Sequence, residues 1–238
     1  MLTNARVIDL SQPLGPSTVH WPGTFSPEAT TMATHAESGY YARAVRFFEH
    51  SGTHLDAPAH FSDGGAMVHE IPADLLVRPV AVLDVRDRVG DDPDWRLSAA
   101  DVTELEARDG KIAAGSAVLV ATGWDRFLAD GERYVGTVEG GTSFPGVGLD
   151  AARLLVGERG VVGIGIDTLG IDPGNETAFP VHYYTLPAGI WHLEGLVGVE
   201  RVPPRGAWLI VGAPLLHEGS GVPSRVLALV WGQAETDG

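Results

Sequence analysis

Five short and nearly unbroken apolar runs punctuate the chain, at residues 80–85, 117–121, 161–166, 208–211 and 226–230. Runs of this length, rich in Val, Ile and Leu, predict strands covered on both faces. Residues 43–49 show a partial alternation, as a half-buried strand would, and lead the chain straight to His50. Ser98 followed three positions later by Asp101 has capping-box spacing, and the segment through Arg108 reads as an amphipathic helix. Residues 150–159 predict a second helix ahead of the third strand. The acidic stretch 87–95, which contains Pro93, predicts a surface loop rather than a domain linker. No internal repeat or low-complexity segment interrupts this order. Strands and helices interspersed in this way predict an α/β or α+β fold with a mixed sheet core.

Composition narrows the picture. With 238 residues and 44% hydrophobic content, the chain can bury a sizeable core, and a single domain over 1–238 is expected. The formal net charge of -15, with no basic patch, argues against nucleic acid or an anionic membrane surface as a partner. With no cysteine, any metal must be held by nitrogen and oxygen ligands. The opening from Met1 to Asp9 has no long apolar segment of the signal-peptide kind, and no apolar stretch is long enough to span a bilayer. A cytoplasmic protein is the expectation.

The chemistry concentrates in residues 50–60, where His50, His54, Asp56 and His60 share one segment with Gly52, Thr53 and Pro58. Imidazole nitrogens and a carboxylate suit zinc, manganese and related divalent ions, and a carboxylate can bridge two of them. The four-residue spacing of His50 and His54 predicts that one helical turn puts both rings on one side, with Asp56 completing the face. Thr53 and Ser51 are expected to support the site or cap backbone rather than act as nucleophiles. The carboxylates of Asp167 and Asp172 follow an apolar strand but equally close a turn, and they stay outside the expected site. His20, His35, His69 and His217 are expected to be surface or structural, and Gly219-Ser220-Gly221 is read as a flexible Gly-rich segment without phosphate-loop context.

The string His-x-Gly-Thr-His-x-Asp-x-Pro-x-His resembles, without departure, the signature of the cyclase-like metal-dependent hydrolases, the group that includes bacterial kynurenine formamidase and isatin hydrolase. The similarity extends to residues 8–14 leading to Trp21-Pro22-Gly23, and to Phe179-Pro180-Val181-His182 ahead of Glu194-Gly195-Leu196. The resemblance implies a swivelling β/β/α architecture and one or two divalent ions, Zn or Mn. It also implies a first ion held by His50, His54 and Asp56, and a second by Asp56, His182 and Glu194. His192 is a rival to Glu194, since in a strand the two share a face. His60 is the expected proton shuttle, with a fourth ligand as its alternative role. Trp21 is expected to stack on an aromatic substrate, with plain packing as the alternative. The activity implied is hydrolysis of an amide-type C–N bond, first of all in an aryl formamide such as N-formylkynurenine. Opening of a cyclic amide is the second reading, and a metal-holding binding protein without turnover is the alternative from another class. The partners implied are a small-molecule amide and further copies of the chain, in a dimer or tetramer.

Overall fold

The computed structural model describes residues 4–137 and 141–231; Met1-Leu2-Thr3, read above for a leader, and residues 138–140 and 232–238 lie outside the described residues. The described strands are, in chain order, β1 (Ala5–Asp9), β2 (Glu28–Ala33), β3 (Ala42–Arg46), β4 (His54–Asp56), β5 (Val77–Asp84), β6 (Arg96–Leu97), β7 (Ala117–Ala121), β8 (Gly146–Val147), β9 (Gly163–Ile166), β10 (Trp191–Glu194), β11 (Ala207–Gly212), β12 (Gly221–Pro223) and β13 (Arg225–Trp231). The helices are α1 (His35–Ser38), α2 (Arg86–Val89), α3 (Ala99–Asp109), α4 (Gly131–Val135), α5 (Leu149–Arg153) and α6 (Pro180–Thr185).

Nine strands form one mixed sheet in the order β1-β13-β11-β5-β7-β9-β10-β4-β12, so the α/β class with a mixed sheet core is observed. The centre is parallel, β5 with β7, β7 with β9 and β9 with β10, while both flanks are antiparallel. Strand alternation sends side chains into two cores. On one face Val118, Val120, Ile164 and Ile166 pack against Val102 and Leu105 of α3 and Ala151 and Ala152 of α5. On the other, Ala117 and Leu119 meet Leu55, Leu193, Leu209 and Ala228, as the curled sheet closes over its own inner surface.

The helix α3 begins as the sequence predicts. Ser98 accepts from the Asp101 backbone N–H, and the Asp101 carboxylate accepts from Ser98 in return. The predicted 150–159 helix is α5, continued by a wider π-helical turn over Leu154–Glu158. Residues 87–95 are a loop only after the short α2.

Three expectations change. The strands β11 and β13 alternate buried and accessible positions instead of being covered on both faces, because helices coat the sheet only nearer its centre. The partly alternating 43–49 segment ends as a strand at Arg46, and β3 with its partner β2 forms a two-stranded ribbon whose residues are nearly all exposed. The segment 219–221 is structured: Gly221 opens β12, which pairs with β4.

Candidate metal centre

The strands β4 and β10 build most of the site by register alone. They run antiparallel, with His54 opposite Glu194 and His192 opposite Asp56. Side chains alternate along a strand, so these four groups share one face, while Leu55 and Leu193 between them enter the apolar core on the other. All four are at least nine-tenths buried. The predicted helical turn from His50 to His54 is therefore not formed. His50 stands in the bend before β4, where Gly52 turns the chain in the left-handed region at φ 63, and its ring returns edge-on to His54 at 5.3 Å between centroids.

His182 arrives from a different direction, on the first turn of α6, with Pro180 at the helix start. Asp172 fixes it. One carboxylate oxygen accepts from the Val181 N–H at 2.8 Å; the other accepts from the His182 N–H at 3.0 Å and stands 2.6 Å from His182 Nδ1. The carboxylate thus caps the helix and orients the ring at once. Sequence reasoning left Asp172 out, and its position just past the β9 strand end was the available signal.

The hydrogen bonds at the outer edges of the rings decide which nitrogen faces inward. His54 Nδ1 donates to the Gly52 carbonyl at 2.9 Å, and His182 Nδ1 donates to Asp172. The Thr185 hydroxyl donates to the Val181 carbonyl at 2.7 Å, so at 2.6 Å it accepts from His192 Nε2. In their neutral forms the three rings turn lone pairs on Nε2, Nε2 and Nδ1 toward carboxylates. His54 Nε2 lies 3.2 Å from Asp56 and 3.4 Å from Glu194; His182 Nε2 lies 3.6 Å from Asp56 and 3.3 Å from Glu194; His192 Nδ1 lies 3.8 Å from Asp56. Bare lone pairs aimed at carboxylate oxygens repel unless a proton or cation lies between them. His54 Nε2, His192 Nδ1 and Asp56 Oδ2 are buried without a hydrogen-bond partner among the described residues. This donor set fits a divalent ion.

Two sets of potential ligand atoms come together around Asp56. Asp56, His182, His192 and Glu194 form one, and His50, Asp56 and His60 the other, with His54 between Asp56 and Glu194. His192 thus stands beside Glu194 rather than in place of it. The positions of His50, His54, Asp56, His182 and Glu194 converge on one centre. The Thr53 hydroxyl donates to the Gly195 carbonyl at 2.6 Å, tying β4 to the end of β10.

Without an ion the cluster attracts protons. Burial opposes charging His54, yet Asp56 and Glu194 outweigh it and raise its pKa to about 10. Burial likewise opposes His182, and Asp172, Asp56 and Glu194 raise it well above the usual histidine value. Burial would raise Glu194 and the Asp56 charge adds to that, but His182 and His54 hold it down at about 2. Burial lowers the pKa of His60 to about 4, below the usual histidine value, so its ring is neutral at pH 7.

A cavity of about 230 Å³ opens over this cluster, walled by Trp21, Phe48, Phe61, Leu169 and Phe179, with His60 at its edge. Trp21 packs edge-on against Phe144 at 6.1 Å and tilted against Phe179 at 6.1 Å, so it stands in the wall as well as in the packing. Phe179 adopts φ 49, rare for a residue with a side chain, as the chain enters α6. Among the described residues, no Lys or Arg lines the cavity.

Comparison with known proteins places this geometry. A family model described as "Putative cyclase" matches residues 8–173. The chain is 32% identical over 244 residues to an isatin hydrolase of Roseibium aggregatum, covering 94% of this chain and 92% of that one. It is 29% identical over 224 residues to a kynurenine formamidase of Salinibacter ruber, covering 93% and 96%. The structure of isatin hydrolase A from Ralstonia solanacearum superposes with a TM-score of 0.89 at 33% identity, over 95% of this chain and 92% of that one. With its family signature seated in a buried His and carboxylate cluster, the chain belongs to the cyclase family of metal-dependent hydrolases.

Proposed function

We propose that this enzyme hydrolyses an amide-type C–N bond attached to an aromatic ring, an aryl formamide of the N-formylkynurenine kind being the first substrate class. The observation that carries the reading is the aromatic-walled cavity lying directly over inward-facing lone pairs and carboxylates. His50, His54, Asp56, His182 and Glu194 would hold one or two ions, Zn or Mn, with Asp56 shared and His192 at hand. When bound there, a divalent ion polarises a carbonyl oxygen and lowers the pKa of water from about 15.7 toward about 7.

The remaining work falls to the chain. Trp21 and the Phe residues orient the aryl group and exclude bulk water. His60, neutral at pH 7, takes a proton from the attacking water as its oxygen bonds to the carbonyl carbon. It returns that proton to the departing nitrogen as the C–N bond breaks. Its stacked contact with His50, at 3.9 Å between centroids, keeps it beside the cluster.

A second reading, opening of a cyclic aryl amide such as isatin, is favoured because, among the described residues, the cavity wall holds no Lys or Arg. A neutral fused ring needs no counter-ion, whereas the carboxylate of an amino-acid tail is costly to bury unpaired. The test compares kcat/KM of the metal-loaded protein for N-formylkynurenine, a formanilide without the tail, and isatin. Turnover of either formamide above isatin supports the first reading, and the reverse order supports the second. Tight binding without turnover of any of them would establish a binding protein instead.

The proposal extends to setting and assembly. One sheet running from β1 to β13 supports reading residues 1–238 as one cyclase-like domain. On the outer face of its flank, Val7 pairs with Leu229, and Leu229 with Trp208; exposed Val7 and Trp208 there, with Met32 on the β2–β3 ribbon, support a homo-oligomer, a dimer or tetramer. Light scattering showing a monomer would refute it. Among the described residues no helix is long and apolar enough to cross a membrane. The cytoplasmic expectation stands as part of the proposal, with cell fractionation as its check.

A further inference from the structure

We propose that Glu49 and Ser220 are positioning residues that fix the ring of His50 with its proton on Nε2 and its lone pair on Nδ1, turned toward the metal centre. The inference rests on the metal-hydrolase reading above. Ser220 Oγ donates to a Glu49 carboxylate oxygen at 2.7 Å, which spends its only proton. His50 Nε2 lies 3.1 Å from the same Ser220 Oγ, which can then only accept from it. The other nitrogen, Nδ1, lies 2.6 Å from Asp56 Oδ1. His50 would thereby present Nδ1, whereas His54 and His182 present Nε2.

The arrangement is built from both ends of the chain. The same Glu49 oxygen accepts from the Ser220 N–H at 2.9 Å and the Gly221 N–H at 3.3 Å, so it clasps the start of β12 against the metal motif. A Cβ on Gly221 would lie 2.4–2.9 Å from the His50 ring atoms, so only glycine lets the ring lie flat against this backbone. On its other side the ring is stacked on His60, with the planes 25° apart. Residues that orient a ligating imidazole through its second nitrogen control metal affinity without touching the ion.

The test has two arms, both on the full chain with Zn²⁺ as the probe. Long-range 15N–1H NMR of the zinc-loaded parent is expected to show His50 protonated at Nε2; protonation at Nδ1 overturns the proposal, whatever the variants do. Chelator competition is expected to give 10–100-fold weaker zinc binding for Ser220→Ala and Glu49→Gln, with the zinc-free melting temperature close to that of the parent. Zinc affinity unchanged in both variants overturns the positioning role alone. A parent that binds no zinc, manganese or cobalt overturns the metal reading with it.

Discussion

Acidity should loosen the ion from this protein in a way that the structure quantifies. Without metal, His54 keeps a proton up to about pH 10, because Asp56 and Glu194 outweigh the burial that opposes it. At pH 7 only about one His54 in a thousand is therefore free of its proton. An ion must displace that proton to reach Nε2, so its apparent affinity should rise about tenfold per pH unit between pH 7 and 9, and more steeply where His182 also gives up a proton. Stability runs the other way in the metal-free protein. The raised pKa of His54 contributes stability that is fully present below its unfolded value of 6.5 and is lost as pH rises through about 10. The depressed pKa of Glu194 contributes stability present above 4.5 and lost as pH falls through about 2. The melting temperature of metal-free protein should thus fall from pH 6.5 toward 10, while the increment from added metal grows over the same range. Zinc competition titrations at pH 6, 7 and 8, with calorimetry in buffers of different ionisation enthalpy, count the protons released. An affinity independent of pH between 6 and 8, with no proton release, would refute the reasoning.

Four substitutions test the division of labour. His60→Ala should retain the metal and lose roughly 10²–10⁴-fold in kcat; loss of metal by elemental analysis would make it a ligand, and full activity would remove it from the mechanism. Trp21→Ala should lower kcat/KM for an aryl formamide severalfold, from about 0.5–1.5 kcal/mol of stacking, and barely alter an aliphatic formamide; an equal fall in both assigns Trp21 to packing. Asp172→Ala strips His182 of its orienting carboxylate and should weaken metal binding about 10–100-fold in a titration, while unaltered affinity would remove Asp172 from the site. His54→Ala should lower bound metal sharply, and equal metal content in mutant and parent would sink the assignment of that ligand.

The sequence determined local matters on its own. The Ser98–Asp101 cap, the five apolar runs that became β5, β7, β9, β11 and β13, and the motif from His50 to His60 are written in neighbouring residues, whose spacing and chemistry need no distant partner. It also carried the His182 and Glu194 pair, through resemblance rather than spacing. Tertiary structure decided the rest. His50 and His54 face one centre through a glycine turn and a strand, because β4 is clamped between β10 and β12, and pairing overrides the helical reading of a four-residue interval. The same register put His192 beside Asp56, and the loop after β9 carried Asp172 under α6. Glu49 meets Ser220 across 171 positions. Lone-pair direction, and with it which nitrogen can meet an ion, is set by hydrogen-bond partners brought from other strands and helices, and no pattern along the chain records them.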